Sequence, residues 1–257
     1  MIERIAEELA SLDSVKAIAL SGSRTSAIKD NSSDWDIYVY SAERVPLEER
    51  KRIFSAAAES RIDCSPFEEG DEVAFSDGTA LDIMYRSVEW SEWQVEDVWE
   101  KHNARVGYTT CFIYNISTSE IIKENDGWFR ALQKKTQSEY PERLRDNIIN
   151  KNMDVLCGSG SSTFLKQAEL AYKRSDIVSQ SHRLSAILAS YFDVLFAYNR
   201  VLHPGEKKLQ RYAHLLCPSL PVSFDEDIER AILSVGRNTY VNSIETLLCN
   251  LSSLLGK

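Results

Sequence analysis

Three stretches carry side chains whose types and spacing could do chemistry: Leu20-Ser21-Gly22-Ser23-Arg24, Ser33-Asp34-Trp35-Asp36-Ile37-Tyr38-Val39 and Leu81-Asp82-Ile83-Met84. Asp34 and Asp36 are separated by one residue. In an extended strand such residues point to the same face with Cα atoms about 7 Å apart, so both carboxylates gather at one place on a sheet. Like charges that close repel unless a cation fills the gap. With oxygen donors alone and no neighbouring His or Cys, the pair favours a hard ion such as Mg²⁺ over zinc. Asp82 sits in the apolar run Ala80–Met84, where an acid is unfavourable unless a partner compensates its charge. If its strand lies beside that of Asp34 and Asp36, three carboxylates converge, as a two-metal phosphoryl-transfer site with ions roughly 4 Å apart requires.

The Gly22-Ser23 turn, directly after the strand-like run Val15–Leu20, has a matching use. Glycine lets a backbone approach a ligand closely, and successive N–H groups can cradle phosphate oxygens. Ser23 adds a hydroxyl and Arg24 a charge. The plainer alternative for the acids is ordinary turn chemistry at a strand start, and for Arg24 a solvated loop side chain. Neither accounts for the loop and all three acids together.

The combination Gly22-Ser23-Arg24, Ser33-Asp34-Trp35-Asp36 and Asp82 resembles the signature of the polymerase-β-type nucleotidyltransferase superfamily. The layout is similar to the two-domain bacterial nucleotidyltransferases that modify aminoglycoside and lincosamide antibiotics. Ala27 stands where many members have a glycine. The resemblance implies that Gly22 and Ser23 hold a nucleoside triphosphate. It also implies that Asp34 and Asp36 bind two Mg²⁺ ions, and that Asp82 joins one ion and helps to activate the attacking hydroxyl. The expected reaction moves a nucleoside monophosphate, AMP from ATP first among them, onto a hydroxyl of a small molecule, with antibiotics as one acceptor class. Two alternatives stay open: the same chemistry on a tRNA or protein acceptor, and a non-catalytic nucleotide-binding or toxin–antitoxin partner that keeps the fold.

The elements that must position these residues follow from periodicity. Ile2, Ile5, Ala6, Leu9 and Leu12 are spaced as one helical face, and Trp35–Tyr40 is a strand rich in aromatic and β-branched residues. A helix is predicted over 47–59 after Pro46, strands over 61–64 and 72–75, a turn at Asp77-Gly78 and a strand over 79–85. From about Ser119 the pattern is nearly all helical. The expected class is therefore α+β, a small mixed sheet over residues 1–118 and an all-helical domain over 119–257, with a cleft between the parts as the usual place for a small-molecule site.

Charge divides along the same line. Residues 1–118 hold 12 Lys and Arg against 23 Asp and Glu, whereas residues 119–257 hold 18 against 16. An acidic half weighs against binding a nucleic-acid backbone and suits a site that collects cations. In the helical half, Lys173-Arg174 and Lys207-Lys208 are the candidates to reach a triphosphate, although most such pairs are solvated. Glu89, Glu92, Glu96 and Glu100 form an acidic stripe, which is read as a solvated face; Glu92 as a general base is the sharper alternative. Of Trp90, Trp93 and Trp99, two are expected in the core and one is available for stacking. The four histidines have no metal-ligand spacing. The five scattered cysteines fit reduced thiols, and neither a signal segment nor a membrane span is apparent, so a cytoplasmic protein is expected.

Overall fold

The computed structural model describes residues 2–28, 34–66 and 68–256. The chain divides into two compact units, one of residues 1–97 with 112–138 and the other of residues 98–111 with 139–257. The class is α+β.

The first unit is built on a six-stranded sheet: β1 (Val15–Ser21), β2 (Trp35–Ser41), β3 (Glu59–Arg61), β4 (Gly70–Ala74), β5 (Ala80–Ser87) and β6 (Glu120–Glu124), in the spatial order β3-β4-β5-β2-β1-β6. Only β2 and β5 run parallel; the remaining neighbours are antiparallel. Helices α1 (Ile2–Ala10) and α2 (Leu47–Ile53) accompany one face. Ile5, Ala6 and Leu9 of α1 pack with Ile53 and Phe54 against Ile18, Ile37, Val39, Val73, Leu81 and Ile83. Burying each of the large aliphatic side chains stabilises the unit by about 1.5–3 kcal/mol before entropy is counted. The other face carries Tyr38, Tyr40 and Arg86 and meets α3 (Val88–Val95), α4 (Cys111–Thr118) and α5 (Trp128–Thr136). There Tyr40 lies 4.7 Å from Phe129 between ring centroids. Strand β2 is thus apolar on both faces beyond Asp36, whereas β5 alternates buried Leu81, Ile83 and Tyr85 with less buried Asp82, Met84 and Arg86.

Several elements depart from their sequence patterns. The helix expected over 47–59 ends at Ile53, because Ala58 donates its N–H to Ala74 O and enters the sheet instead. Strand β3 covers 59–61 rather than 61–64; at Asp63 the chain turns through φ 56° and its N–H donates to Asp71 Oδ1. Beyond residue 118 the chain is not helical at once. Glu120–Glu124 pairs with β1 as an edge strand, and α5 packs on the same sheet. The polar loop 29–33, which includes Ser33 of the signature, lies outside the described residues.

The second unit comprises α6 (Glu142–Cys157), α7 (Phe164–Lys173), α8 (Ile177–Tyr198), α9 (Leu209–Leu216), α10 (Phe224–Leu233) and α11 (Tyr240–Leu254). Asp176 caps α8 by accepting from Ser179 N, and Thr163 caps α7 by accepting from Lys166 N. Helix α8 is central, burying Leu184, Ile187, Tyr191, Phe192, Leu195 and Phe196. Segment 98–111 is fastened to α6 and α8 by polar side chains. Gly107 N donates to Asn152 Oδ1 at 3.0 Å, and Thr109 donates to Asp193 through N at 3.0 Å and Oγ1 at 2.6 Å. Among the described residues, no helix is long and apolar enough to cross a membrane.

Candidate functional site

Four neighbouring strands bring polar side chains to one level of the sheet. Ser21, the last residue of β1, is the register partner of Asp36 on β2. Asp36 is in turn the partner of Asp82 on the parallel β5, and Asp82 that of Glu72 on β4. Directly paired residues share a face and lie on strands about 4.8 Å apart, so Asp36, Asp82 and Glu72 form a row of acids. The flanking residues Ile37, Leu81, Ile83 and Val73 take the opposite face and anchor the row in the apolar core. Trp35 packs against that same core, which leaves Asp34 and Asp36 on the far side of the strand.

The turn after β1 is shaped to receive one of these acids. Gly22 has φ +67°, and a Cβ at this position would overlap the Asp36 carboxylate. Only glycine satisfies both conditions. Residues Gly22–Arg24 form one 3₁₀ turn, closed by Thr25 N and Ser26 N donating to Gly22 O at 3.4 and 3.2 Å. Ser23 Oγ is buried and has no hydrogen-bond partner among the described residues. An unsatisfied buried hydroxyl costs about 1–3 kcal/mol, which a ligand oxygen would recover. Arg24 is engaged locally: its guanidinium stacks 4.1 Å from the Trp35 ring centre, and Nε donates to Asp34 O at 3.3 Å. It ties the turn to the start of β2.

Asp34 and Asp82 line a cavity of about 420 Å³ together with Glu59, Arg61 and Glu72. Arg61 and Glu72 stand 3.4 Å apart across this rim. Asp36 is not part of the lining and lies against Gly22. Among the described residues, no group of three or more His, Cys, Asp or Glu is already drawn together as a metal cage. The donor set is nonetheless all oxygen, and Mg²⁺ is ordinarily held by one or two carboxylates plus substrate phosphates rather than by a closed protein cage. Asp36 and Asp82 as direct neighbours, with Asp34 beside them, fit that arrangement. Tyr38 and Tyr40 continue the Asp36 face of β2, and burial raises the pKa of both hydroxyls. Both phenols therefore stay neutral at physiological pH.

Other residues singled out by the sequence are distributed as follows. Glu89, Glu92, Glu96 and Glu100 are exposed, and Glu92 accepts from Trp128 Nε1 at 2.8 Å. Of the three tryptophans one, not two, is in a core. Trp99 is buried against Tyr140, whereas Trp90 and Trp93 are 41% and 47% exposed, because α3 turns its face toward solvent there. Lys173 closes α7 and Lys207 precedes α9; both are exposed on the second unit, apart in sequence and element from the acids. His203 is fully buried, accepts from Gly205 N at Nδ1, and has its pKa lowered to about 3 by burial. Glu59 and Arg61 escaped the sequence reading, whereas the place of Glu72 beside Asp82 can be counted from the Asp77-Gly78 turn, which sets the β4–β5 register.

The chain is similar along its whole length to a nucleotidyltransferase-like protein from Exiguobacterium sibiricum, with 12% identity, 75% of that protein covered and a TM-score of 0.48. It is also similar to an aminoglycoside 6-adenyltransferase from Bacillus subtilis, with 12% identity, 90% of that protein covered and a TM-score of 0.27. No protein-family model matches the sequence, and no curated protein matches it. Likeness at this level carries no site assignment, which rests on the residues of β1, β2 and β5.

Proposed function

We propose that this chain is a Mg²⁺-dependent nucleotidyltransferase that transfers a nucleoside monophosphate, AMP from ATP in the first instance, to a hydroxyl of a small molecule. The observation that carries the reading is the direct pairing of Asp36 with Asp82 beside a glycine turn that a Cβ would close. In this reading the N–H groups of the Gly22–Arg24 turn and Ser23 Oγ hold the triphosphate, which gives the buried serine hydroxyl its missing partner. Asp34, Asp36 and Asp82 hold two Mg²⁺ ions. When bound, these supply positive charge that lowers the acceptor hydroxyl's pKa and stabilises the transferring group and the departing pyrophosphate.

The acceptor occupies the cavity lined by Asp34 and Asp82. Its oxygen bonds to the α-phosphorus as the bond from that phosphorus to the bridging oxygen breaks, and pyrophosphate leaves on the opposite side. Asp82 orients the hydroxyl and takes its proton. Lys173 and Lys207 are retained as candidate triphosphate contacts, and substituting each tests them directly. Amino-sugar antibiotics, an acceptor class that the resemblance of the Gly22-Ser23 and Asp34–Asp36 segments implies, are the first acceptors to try.

The test incubates the protein with α-labelled ATP, Mg²⁺ and a panel of hydroxyl acceptors that includes tRNA and protein. Label on a small molecule, lost with Asp36→Ala, supports the proposal. Undiminished transfer by that variant overturns the mechanism. Transfer to no acceptor overturns the activity.

A further inference from the structure

The Gly22–Ser23 turn is held from outside the sheet by one side chain that no motif contains. Asn115, on α4, donates from Nδ2 to Ser21 Oγ at 2.6 Å and accepts at Oδ1 from Arg86 Nη1 at 2.8 Å. Ser21 is 1% exposed, immediately precedes Gly22 and pairs with Asp36. Arg86 belongs to β5, the strand of Asp82, and shares its face. Its guanidinium lies 3.9 Å from the Tyr38 ring centre, and its Nε is 3.6 Å from Glu68 Oε2. The adjacent residue of α4, Tyr114, accepts at its hydroxyl from Ala27 N at 3.5 Å. Neighbouring residues of one helix therefore touch the chain on both sides of the Gly22–Arg24 turn.

The position needs a side chain that bonds in two directions at once. Asn115 donates toward Ser21 and accepts from Arg86 in the same place. A carboxylate would keep Arg86 and accept from the Ser21 hydroxyl, which turns to donate, whereas an alanine would lose both. Ser21 is the hinge from which the backbone enters the left-handed conformation at Gly22, so fixing its hydroxyl fixes where the following N–H groups and Ser23 Oγ point.

We infer that Asn115 is a positioning residue. It locks the Gly22–Ser23 turn in the conformation that receives a triphosphate and, through Arg86, couples that turn to the strand of Asp82. The inference rests on the proposed nucleotide-binding role of the turn.

The experiment measures binding of Mg·ATP by calorimetry to the full chain and to Asn115→Asp, Asn115→Ala, Ser21→Ala and the Ser21→Ala/Asn115→Ala double variant. Urea unfolding of each and steady-state kinetics accompany it. Loss of one oriented hydrogen bond predicts an ATP dissociation constant raised roughly 5- to 10-fold by Asn115→Ala and by Ser21→Ala. KM for ATP should rise in parallel and KM for the acceptor should stay unchanged. The double variant should bind no more weakly than Asn115→Ala alone. Asn115→Asp keeps both contacts, the Ser21 hydroxyl now donating, so its unfolding midpoint and its ATP affinity should stay nearer those of the wild type than those of Asn115→Ala. Wild-type affinity in both Asn115→Ala and Ser21→Ala overturns the positioning role and leaves the site reading standing. Losses that add in the double variant and follow its urea midpoint also overturn the role. A wild-type protein that binds no nucleotide overturns the site reading and this inference with it.

Discussion

Replacing Gly22 by alanine tests the site at its tightest point. Two costs can be separated. At φ +67° an L-residue pays about 1–2 kcal/mol for the left-handed conformation. The new Cβ also overlaps the Asp36 carboxylate, which must leave its rotamer at a further cost of about 0.5–1.5 kcal/mol. The expected loss in urea unfolding is therefore about 1.5–3.5 kcal/mol. Displacing Asp36 by an ångström should lower the rate of transfer on the order of 100-fold. In the double variant Gly22→Ala/Asp36→Ala the overlap with the carboxylate disappears while the backbone cost and a 2.9 Å approach to the Cβ of residue 36 remain, so its stability should exceed the additive expectation by about 1 kcal/mol. A Gly22→Ala protein with wild-type stability and rate would refute the conformation of the turn. A strictly additive double variant would show that Asp36 is not the group the Cβ meets.

Three further outcomes are expected. Asp82→Asn should lower transfer on the order of 10²–10⁴-fold. Because it removes one charge from the row Asp36–Asp82–Glu72, its unfolding midpoint should be unchanged or higher. Burial raises the pKa of Asp193 to about 7, above the roughly 3.9 of an unfolded aspartate. The native state therefore binds the extra proton, and this group's stabilising contribution is complete below about pH 4. It is lost as pH rises toward 7, by at most about 1.4 kcal/mol per unit. Unfolding midpoints of Asp193→Asn compared with the wild type across that range should show the slope removed. Finally, Leu9→Ala, at a side chain with no exposed surface, should cost about 2–5 kcal/mol in denaturant unfolding.

How much was legible in the sequence depended on distance along the chain. The Asp34–Asp36 spacing and Gly22 could be read because strand alternation and glycine's conformational freedom act within a few residues. Asp82 was legible because Leu81 and Ile83 mark its strand as apolar on the other face. The edge strand Glu120–Glu124 was not, since two isoleucines between charged residues fit a helix as well as a strand, and only pairing with β1 decides. Asn115 was hidden for a related reason: its place depends on a helix packing over the sheet, which leaves no local pattern. The attachment of segment 98–111 to the second unit likewise hangs on Asn152 and Asp193, whose polarity inside helices gave no hint of a partner.

The two outer margins of the sheet bear on how the molecule behaves in a crowded solution. β3 has only three residues, Glu59, Ser60 and Arg61, all exposed, and the opposite margin at β6 carries Glu120, Lys123 and Glu124 with an irregular register against β1. A stranger's strand docking on either side would meet charge and a broken ladder instead of a flat row of apolar side chains. The same acids that crowd one end of this sheet thus have relatives along its borders that keep it from growing by recruitment of its own kind.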